Sequence, residues 1–335
     1  MSSDRPVFVM GFPRSGTTML QLMLHSHPRI SIPPETRFVL TGYWSRRRFG
    51  DLQERANRRA LAEWIVKKKT FKDLGVDRDT VTQEIIDGPP TLGSAFGIVF
   101  RAYARRFGKP RWGDKRPAYL HNIHVVMDLF PNAQLVNIVR DGRDCIASLM
   151  EMTWNQRDIY RSIQAWNTGV DYSKEAAREL GPDSYHELKY EQLVEEPEPV
   201  LKGLCEYLGE EFDPAMTEPA KVASVAVPDR KSWHGLTHQA VTSSRVNSWR
   251  QRLEPWQISL CEAAMGSRLQ AMGYELSGAE PPELGHRLRY MAVAAKGPLL
   301  KPRRAASKML DKVRSSAPTD CRIPPGDIAN APAAE

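Results

Sequence analysis

Residues 7–18 read Val-Phe-Val-Met-Gly-Phe-Pro-Arg-Ser-Gly-Thr-Thr, and this stretch decides the fold class. Residues 7–10 are a short apolar run of the kind that forms a strand buried on both faces. A turn with glycine and proline follows, and residues 17–24 carry apolar side chains typical of a core helix. The order predicts a loop at a helix N-terminus, where unpaired N–H groups and the helix dipole favour an anion.

This loop has the spacing of a phosphate-binding loop but lacks its lysine. In the usual pattern, G-x-x-x-x-G-K-[ST], backbone N–H groups surround the phosphates, the lysine reaches the outer ones and the hydroxyl binds magnesium. Gly11 and Gly16 keep the spacing, and Thr18 keeps the hydroxyl. Thr17 replaces the lysine, so Arg14 is the loop's cation. The loop therefore suits a 5′-phosphate group better than a magnesium-bound triphosphate.

Two further apolar runs predict strands of the same sheet. Residues 135–139 follow a helix-periodic segment that ends at Pro131 and Asn132, and residues 186–190 precede a helix near residues 200–208. Buried strands that alternate with helices predict a parallel sheet with helices on both faces. The expected fold class is α/β: a three-layer α/β/α, P-loop arrangement with a central parallel sheet and helical insertions. Ligands of such sheets bind at the carboxyl ends of the strands.

The chain resembles, in five separated segments, the sulfotransferases that use 3′-phosphoadenosine 5′-phosphosulfate (PAPS), particularly the branch of tyrosylprotein sulfotransferases and their bacterial relatives. The segments follow the family's order over roughly residues 7–275. They are residues 11–20 (5′-phosphosulfate loop), 34–37 (Pro-Glu-Thr-Arg, base segment), 113–117 (Gly-Asp-Lys-Arg-Pro, lysine segment), 139–148 (3′-phosphate segment) and 189–193 (a later cofactor-contacting strand). The resemblance implies in-line transfer of a sulfuryl group from PAPS to an acceptor hydroxyl, or less readily an amine, without a metal.

The resemblance also implies roles for single residues. Glu35 would be the general base, because an acceptor hydroxyl must lose its proton to a group within about 2.6 to 3.2 Å. Arg14 would stabilise charge on the oxygen that joins phosphate to sulfur, and Lys115 would be a second cation beside the transferred group. The donor-binding residues would be Arg14, Ser15, Gly16, Thr17 and Thr18 at the 5′-phosphate, Arg140 and Ser148 at the 3′-phosphate, and Tyr190 near the nucleotide.

Several of these assignments have alternatives. Glu35 could form a structural ion pair with Arg37, in which case His121 is the best substitute base. His25 and His27 are further rivals, but their position at the end of the first helix favours capping or core roles.

Other positions in the five segments also allow structural roles. Lys115 could be a surface lysine before a proline turn, and Tyr190 a buried strand tyrosine. Arg143 and Asp144 are expected to form a turn and cap a helix. A late part of the 3′-phosphate site is expected within residues 243–249, but the match does not assign Arg245 or Ser248.

Two other functions compete with sulfuryl transfer. One is a P-loop kinase or nucleotide hydrolase, which the missing loop lysine and the lack of a clear strand-end Asp for magnesium disfavour. The other is a catalytically idle nucleotide-binding scaffold.

The excess positive charge lies near the C-terminus. The net charge is +7, and residues 286–322 hold ten Lys or Arg against two Asp, so the remainder is about neutral. No nucleic-acid partner is therefore indicated. We assign residues 1–276 to one sulfotransferase domain, with residues 45–110 as a helical insertion that shapes the acceptor pocket. Residues 277–335 form a basic tail, disordered or partly helical, which would permit weak contact with a membrane surface.

Cysteine usage and the N-terminal sequence favour a cytoplasmic protein. The four cysteines form no C-x-x-C or Cys/His cluster, so neither a disulfide framework nor a metal site is predicted. No signal-like segment and no apolar run of ~20 residues is found. The oligomeric state stays open. The acceptor class is also open, because the expected pocket aromatics suit a small molecule, glycan or lipid. Those aromatics are Trp44, Trp64, Phe96, Phe100 and Tyr103.

Overall fold

A sheet of five parallel strands forms the centre of the protein. The computed structural model describes residues 4–223, 241–295 and 320–324. The strands are β1 (Val7–Gly11), β2 (Ile30–Ser31), β3 (Arg111–Lys115), β4 (Gln134–Val139) and β5 (Tyr185–Lys189). Their order is β2-β3-β1-β4-β5, so the strand before the phosphate-type loop is central. The predicted α/β class with a central parallel sheet is confirmed.

The register of the sheet brings the predicted site segments to one edge. Val9 of β1 pairs with Lys115 of β3 on one side and with Val136 of β4 on the other. The loop after Gly11, the end of β3 and Arg140, which follows β4, therefore lie at neighbouring carboxyl ends. β1 and β4 are buried along their whole length, as expected of apolar strands with helices on both faces.

Helices surround this sheet and fill the segments between strands. Five helices lie between β2 and β3, the part of the chain that contains residues 45–110. In the described ranges the helices are α1 (Thr17–Ser26), α2 (Phe38–Trp44), α3 (Arg55–Val66), α4 (Lys69–Lys72), α5 (Arg78–Asp87), α6 (Leu92–Arg105), α7 (Ile123–Leu129), α8 (Gly142–Met150), α9 (Ile159–Leu180), α10 (Tyr190–Glu195), α11 (Pro197–Leu208), α12 (Trp249–Arg252), α13 (Pro255–Ala271) and α14 (Leu284–Ala294). None of these is both long and apolar enough to cross a bilayer.

Helix α14, within the predicted tail, packs on the body of the protein. The Tyr290 hydroxyl donates to Gln164 Oε1 at 3.0 Å and accepts from Asn167 Nδ2 at 2.8 Å, both on α9. His286 stacks on Trp256 with ring centroids 4.3 Å apart. The outer row of α14, Leu284, Leu288 and Met291, remains exposed.

A second tail segment, residues 320–324, lies between α6 and α7. The backbone N–H of Gly93 donates to the carbonyl of Cys321, and that of Ile323 to the carbonyl of Leu129, both at 2.9 Å. The Ile323 side chain is 1% exposed and joins the core of α6 and β3. The predicted weak contact with a membrane surface depends on the basic residues of the tail. Most of them fall within residues 296–319, which lie outside the described residues.

Candidate active site

A cavity of about 1000 Å³ contains most of the predicted site residues. It is lined by nine of the ten: Arg14, Gly16, Thr17, Thr18, Glu35, Lys115, Arg140, Ser148 and Tyr190. Eight Lys or Arg side chains line it against two Glu, Glu35 and Glu151. A cavity with this excess of positive charge attracts an anionic ligand.

The loop between β1 and α1 has the backbone that a phosphate-type cradle needs. Gly16 has a φ of 100° and precedes the first turn of α1, and no side chain in the described ranges caps that helix. Its N–H groups are therefore available to an anion. A Cβ at Gly16 would lie 2.6 Å from Cδ2 of Tyr190, and one at Gly11 would lie 2.5 Å from the carbonyl of Ile138. Only glycine lets the loop pack this closely against β4 and Tyr190.

Ser15, one of the predicted donor-binding residues, does not line the cavity. Its side chain is fully buried, and its Oγ has no hydrogen-bond partner among the described residues. Arg14 and Gly16 on either side have positive φ, and this conformation turns the Ser15 hydroxyl inward against Gly11. Ser15 can thus contribute its backbone to the loop, but its hydroxyl points away from the cavity.

Arg14 connects the loop to the segment after β4. Its Nε donates to Ser148 Oγ on α8 at 2.9 Å. Burial lowers the pKa of the Arg14 guanidinium, and the charge of Arg140 lowers it further, with smaller effects from Arg252 and Arg245. Mutual repulsion among these cations is relieved when an anion binds between them.

Arg140 holds three parts of the site together. Its Nη1 donates to the Arg14 carbonyl at 3.0 Å, and its Nη2 to the Arg245 carbonyl at 2.5 Å. Its guanidinium carbon lies 4.3 Å above the Tyr190 ring. Its buried Nε has no partner within the described ranges, which leaves one donor for a ligand.

The late segment around α12 supplies cavity residues that the sequence did not assign. Asp144 Oδ1 accepts from Ser248 Oγ at 2.9 Å and from the Trp249 N–H at 2.8 Å. This contact brings Arg245 and Arg252 to the cavity, whereas Ser248 faces Asp144. The sequence placed a late part of the site near residues 243–249. No local pattern, however, distinguishes Arg245 and Arg252, which line the cavity, from Arg250, which does not.

Arg143 and Asp144 have structural contacts, but both lie within α8 and neither caps it. Arg143 is buried, donates to Asp141 Oδ2 at 2.7 Å and to Glu262 Oε1 at 2.6 Å, and lies 4.0 Å from the Trp249 ring centre. Asp141 caps α8 by accepting from the Arg143 N–H.

Glu35 and Lys115 face the cavity from neighbouring segments. Glu35 Oε1 lies 3.3 Å from Arg37 Nε and 3.9 Å from Arg116 Nε, so the ion pair with Arg37 exists together with the cavity position. Lys115 is 2% exposed, and its Nζ donates to Thr18 Oγ1 at 3.3 Å. The alternative of a surface lysine is therefore wrong.

Of the three rival histidines, His121 alone lines this cavity. His25 Nδ1 accepts from the Ile32 N–H at 3.2 Å, and burial, with the charge of Lys109, lowers its pKa to about 3. His27 is also buried and is hydrogen-bonded to the Glu211 carbonyl. His121 thus remains the alternative base.

The predicted aromatic wall of the acceptor pocket is wrong for this cavity. Phe96, Phe100 and Tyr103 are fully buried on α6, where they belong to the core beneath the sheet. Their spacing reflects a helix that is buried almost all round. Trp44 is 48% exposed and Trp64 packs on the same core, so none of the five reaches the cavity. Apolar residues from other segments line it instead: Phe12, Met19, Leu22, Met152, Trp154 and Val241.

Helix α6, within residues 45–110, packs against the segment that follows Glu35. Phe38, three residues after Glu35, stacks on Phe100 with ring centroids 5.8 Å apart, and Phe100 stacks on Trp112 of β3 at 5.5 Å. In the described ranges, no group of three His, Cys, Asp or Glu side chains is arranged to hold a metal ion.

These features define a P-loop α/β protein with a basic cavity at the carboxyl edge of its sheet. Residues 6–214, more than half of the chain, match the family model described as Sulfotransferase family, and the chain belongs to that family. A protein-tyrosine sulfotransferase of Drosophila melanogaster is 26% identical over 290 residues, covering 83% of this chain and 53% of the relative. The nodulation protein NoeE of Sinorhizobium fredii is 26% identical over 301 residues, covering 81% and 66%.

The chain spans about half the length of the first curated relatives that it matches. Among solved structures, the sulfotransferase domain from the curacin biosynthetic pathway aligns with a TM-score of 0.57 at 22% identity, covering 82% of this chain and all of that domain. The sulfotransferase domain of the Synechococcus PCC 7002 olefin synthase aligns with the same TM-score at 21% identity, covering 81% and 96%. Both likenesses support the fold.

Proposed function

We propose that this protein transfers the sulfuryl group of PAPS to an acceptor hydroxyl, with Glu35 as general base. One observation carries the proposal: the candidate base, two candidate cations for the transferred group and the Arg140–Ser148 pair line a single cavity. An acceptor and an extended, highly anionic donor would then meet inside one site.

The residues present fit a donor with phosphate groups at both ends of a nucleoside. The uncapped N-terminus of α1, with Thr17 and Thr18, suits the 5′-phosphate end. Arg140 and Ser148 suit the 3′-phosphate, and the unpartnered Arg140 Nε is a donor that such a group would satisfy. Arg245 and Arg252 join this half of the cavity.

In the proposed reaction the acceptor oxygen attacks sulfur while the bond from sulfur to the bridging oxygen breaks. The electron pair of that bond passes to the departing 5′-phosphate, and the acceptor proton passes to Glu35. Negative charge develops on the bridging oxygen, so a fixed Arg14 guanidinium stabilises the transition state more than the ground state. Lys115 would balance charge on the remaining sulfuryl oxygens.

The acceptor class is proposed only as a hydroxyl compound. A small molecule, glycan or lipid fits a cavity with both apolar and basic walls. A protein tyrosine joins these because several relatives are named for it. A cytoplasmic location stays a prediction from the sequence.

Isothermal titration calorimetry tests the donor assignment. We expect 3′,5′-bisphosphoadenosine (PAP) to bind in metal-free buffer in the micromolar range or tighter. Magnesium-dependent binding of ATP without binding of PAP would instead favour a kinase or nucleotide hydrolase. Tight PAP binding, with no labelled sulfate passing from PAPS to any acceptor in a broad screen, would favour an idle scaffold.

A further inference from the structure

A buried carboxyl group lies directly behind the two residues proposed to act on the acceptor and the sulfuryl group. Asp114 of β3 is fully buried. Its Oδ2 accepts a hydrogen bond from Thr36 Oγ1 at 3.0 Å and another from the Tyr119 hydroxyl.

Burial of this carboxyl group lowers the stability of the folded protein. Burial raises the pKa of Asp114 to about 7, although hydrogen bonds from Tyr119, Thr36 and the Lys115 N–H act in the opposite direction. A buried charge or unpaired acid costs stability that an apolar side chain of similar size would not. Packing alone therefore does not explain an aspartate at this position.

The chain connectivity of Asp114 indicates what the carboxyl group does. Thr36 directly follows Glu35, and Lys115 directly follows Asp114. The bond from Thr36 to Asp114 thus joins the base segment to the lysine segment one residue away from each cavity side chain. A second link, from Arg116 Nη1 to the Arg37 carbonyl at 3.0 Å, lies toward the surface.

We propose that Asp114 is a positioning residue that fixes Glu35 and Lys115 relative to each other across the cavity. The inference rests on the proposed sulfuryl transfer. A base that acts on the acceptor and a cation that acts on the oxygens of the same sulfuryl group need a fixed separation, and a displacement of about 1 Å can cost on the order of 100-fold in rate.

The test compares binding of PAPS with binding of PAP by calorimetry, without an acceptor. Lys115 is proposed to contact the sulfuryl group, which only PAPS carries. Asp114→Ala should therefore weaken PAPS binding roughly tenfold and leave PAP binding nearly unchanged. Lys115→Met should give the same selective loss, and the double variant no further loss. Asp114→Asn, which keeps an acceptor oxygen, should restore most of the PAPS affinity.

A matched control is Asn137→Ala on β4, a buried polar residue bonded to Ser173 and Glu187. It should lower stability and leave the ratio of the two affinities unchanged. If Asp114→Ala does not fold, Thr36→Val should shift the ratio in the same direction by a smaller factor.

The outcomes separate this inference from the proposed function. An unchanged ratio in the Asp114 and Thr36 variants, or an equal loss for both ligands, would overturn the positioning role. Wild-type protein that binds neither ligand would overturn the proposed function and this inference with it. An unchanged ratio in Lys115→Met would also overturn the inference, because Lys115 would then have no contact with the sulfuryl group for Asp114 to position.

Discussion

Glu35 is held by two guanidinium groups that differ in exposure. Arg37 is 62% exposed and Arg116 is 19% exposed, while Glu35 itself is 17% exposed. Arg37 also has a positive φ of 62° at the start of α2, which places its side chain beside the residue two positions earlier. The two guanidinium groups hold the carboxylate where it lines the cavity.

Replacing the candidate base should separate chemistry from binding. We expect Glu35→Gln to lower kcat about 10²- to 10⁴-fold, because the amide cannot take the acceptor proton. PAP affinity should stay within about twofold of wild type. Transfer of labelled sulfate from PAPS measures the first quantity and calorimetry the second. The exposed pair Glu63–Lys67 offers the control, since Glu63→Gln should change neither. Full activity in Glu35→Gln would move the base assignment to His121.

The raised pKa of Asp114 implies that the free energy of unfolding depends on pH. This pKa is about 7 in the folded protein against 3.8 ordinarily, so the folded state holds this proton more tightly than the unfolded chain. The stabilisation is complete below about pH 4 and is lost as pH rises to about 7, which amounts to a few kcal/mol. Urea unfolding of wild type and Asp114→Asn at several pH values measures it. The free-energy difference between them should change across this window; a constant difference would contradict the prediction.

Strands with a strong local pattern could be predicted from the sequence, and β3 could not. β1 and β4 are apolar runs, and the helix after the loop has a clear apolar face. β3 reads Arg-Trp-Gly-Asp-Lys, which resembles a loop. It is buried because Arg111 bonds to Glu210 and Gln134 in distant segments, and Asp114 bonds to Thr36. Such pairings across the chain are invisible to local patterning.

The residues of the candidate site also fall into those that the sequence identified and those that it missed. The loop and Arg140 could be predicted because each follows an apolar run typical of a buried strand, whereas Glu35 and Lys115 were assigned through the resemblance of their segments to the sulfotransferase family. Arg245 and Arg252 could not, because the contact of Asp144 with Trp249, more than one hundred residues apart, decides their position. The burial of the α6 aromatics was also missed, since aromatic residues fit a core and a pocket wall equally well by composition.

Helix α6 and the segment after α8 should respond differently to substitution. Phe100→Leu should lower the free energy of unfolding by about 1–2 kcal/mol, because Phe100 stacks between Phe38 and Trp112. It should leave the acceptor KM unchanged. Trp154 lines the cavity and is 45% exposed, so Trp154→Ala should raise the acceptor KM with a stability change within about 0.5 kcal/mol. Chemical unfolding measures the stability of each variant, and kinetics with the acceptor found by labelled-sulfate screening measure its KM. A raised acceptor KM in Phe100→Leu together with an unchanged KM in Trp154→Ala would indicate that α6 lines the acceptor pocket.

At the scale of the whole molecule, residues 320–324 complete the core on one face of the sheet. We expect Ile323→Ala to lower the free energy of unfolding by about 2–4 kcal/mol, because Ile323 is fully enclosed between α6 and α7. Leu284→Ala on the exposed row of α14, where Leu284 is 67% exposed, should change it by less than about 0.5 kcal/mol. Urea unfolding of both variants gives the comparison, and equal effects would argue against a packed segment.

The packed segment at residues 320–324 bears on how the protein is trimmed for experiments. A fragment that stops at residue 276 would leave an apolar slot beside α6, together with two backbone N–H groups of Leu92 and Gly93 that now donate to Asp320 and Cys321. Exposed apolar grooves with unused donors recruit other extended chains. Self-association of such a fragment would then rise with concentration, and its oligomeric state would result from the truncation and would not describe the full-length chain.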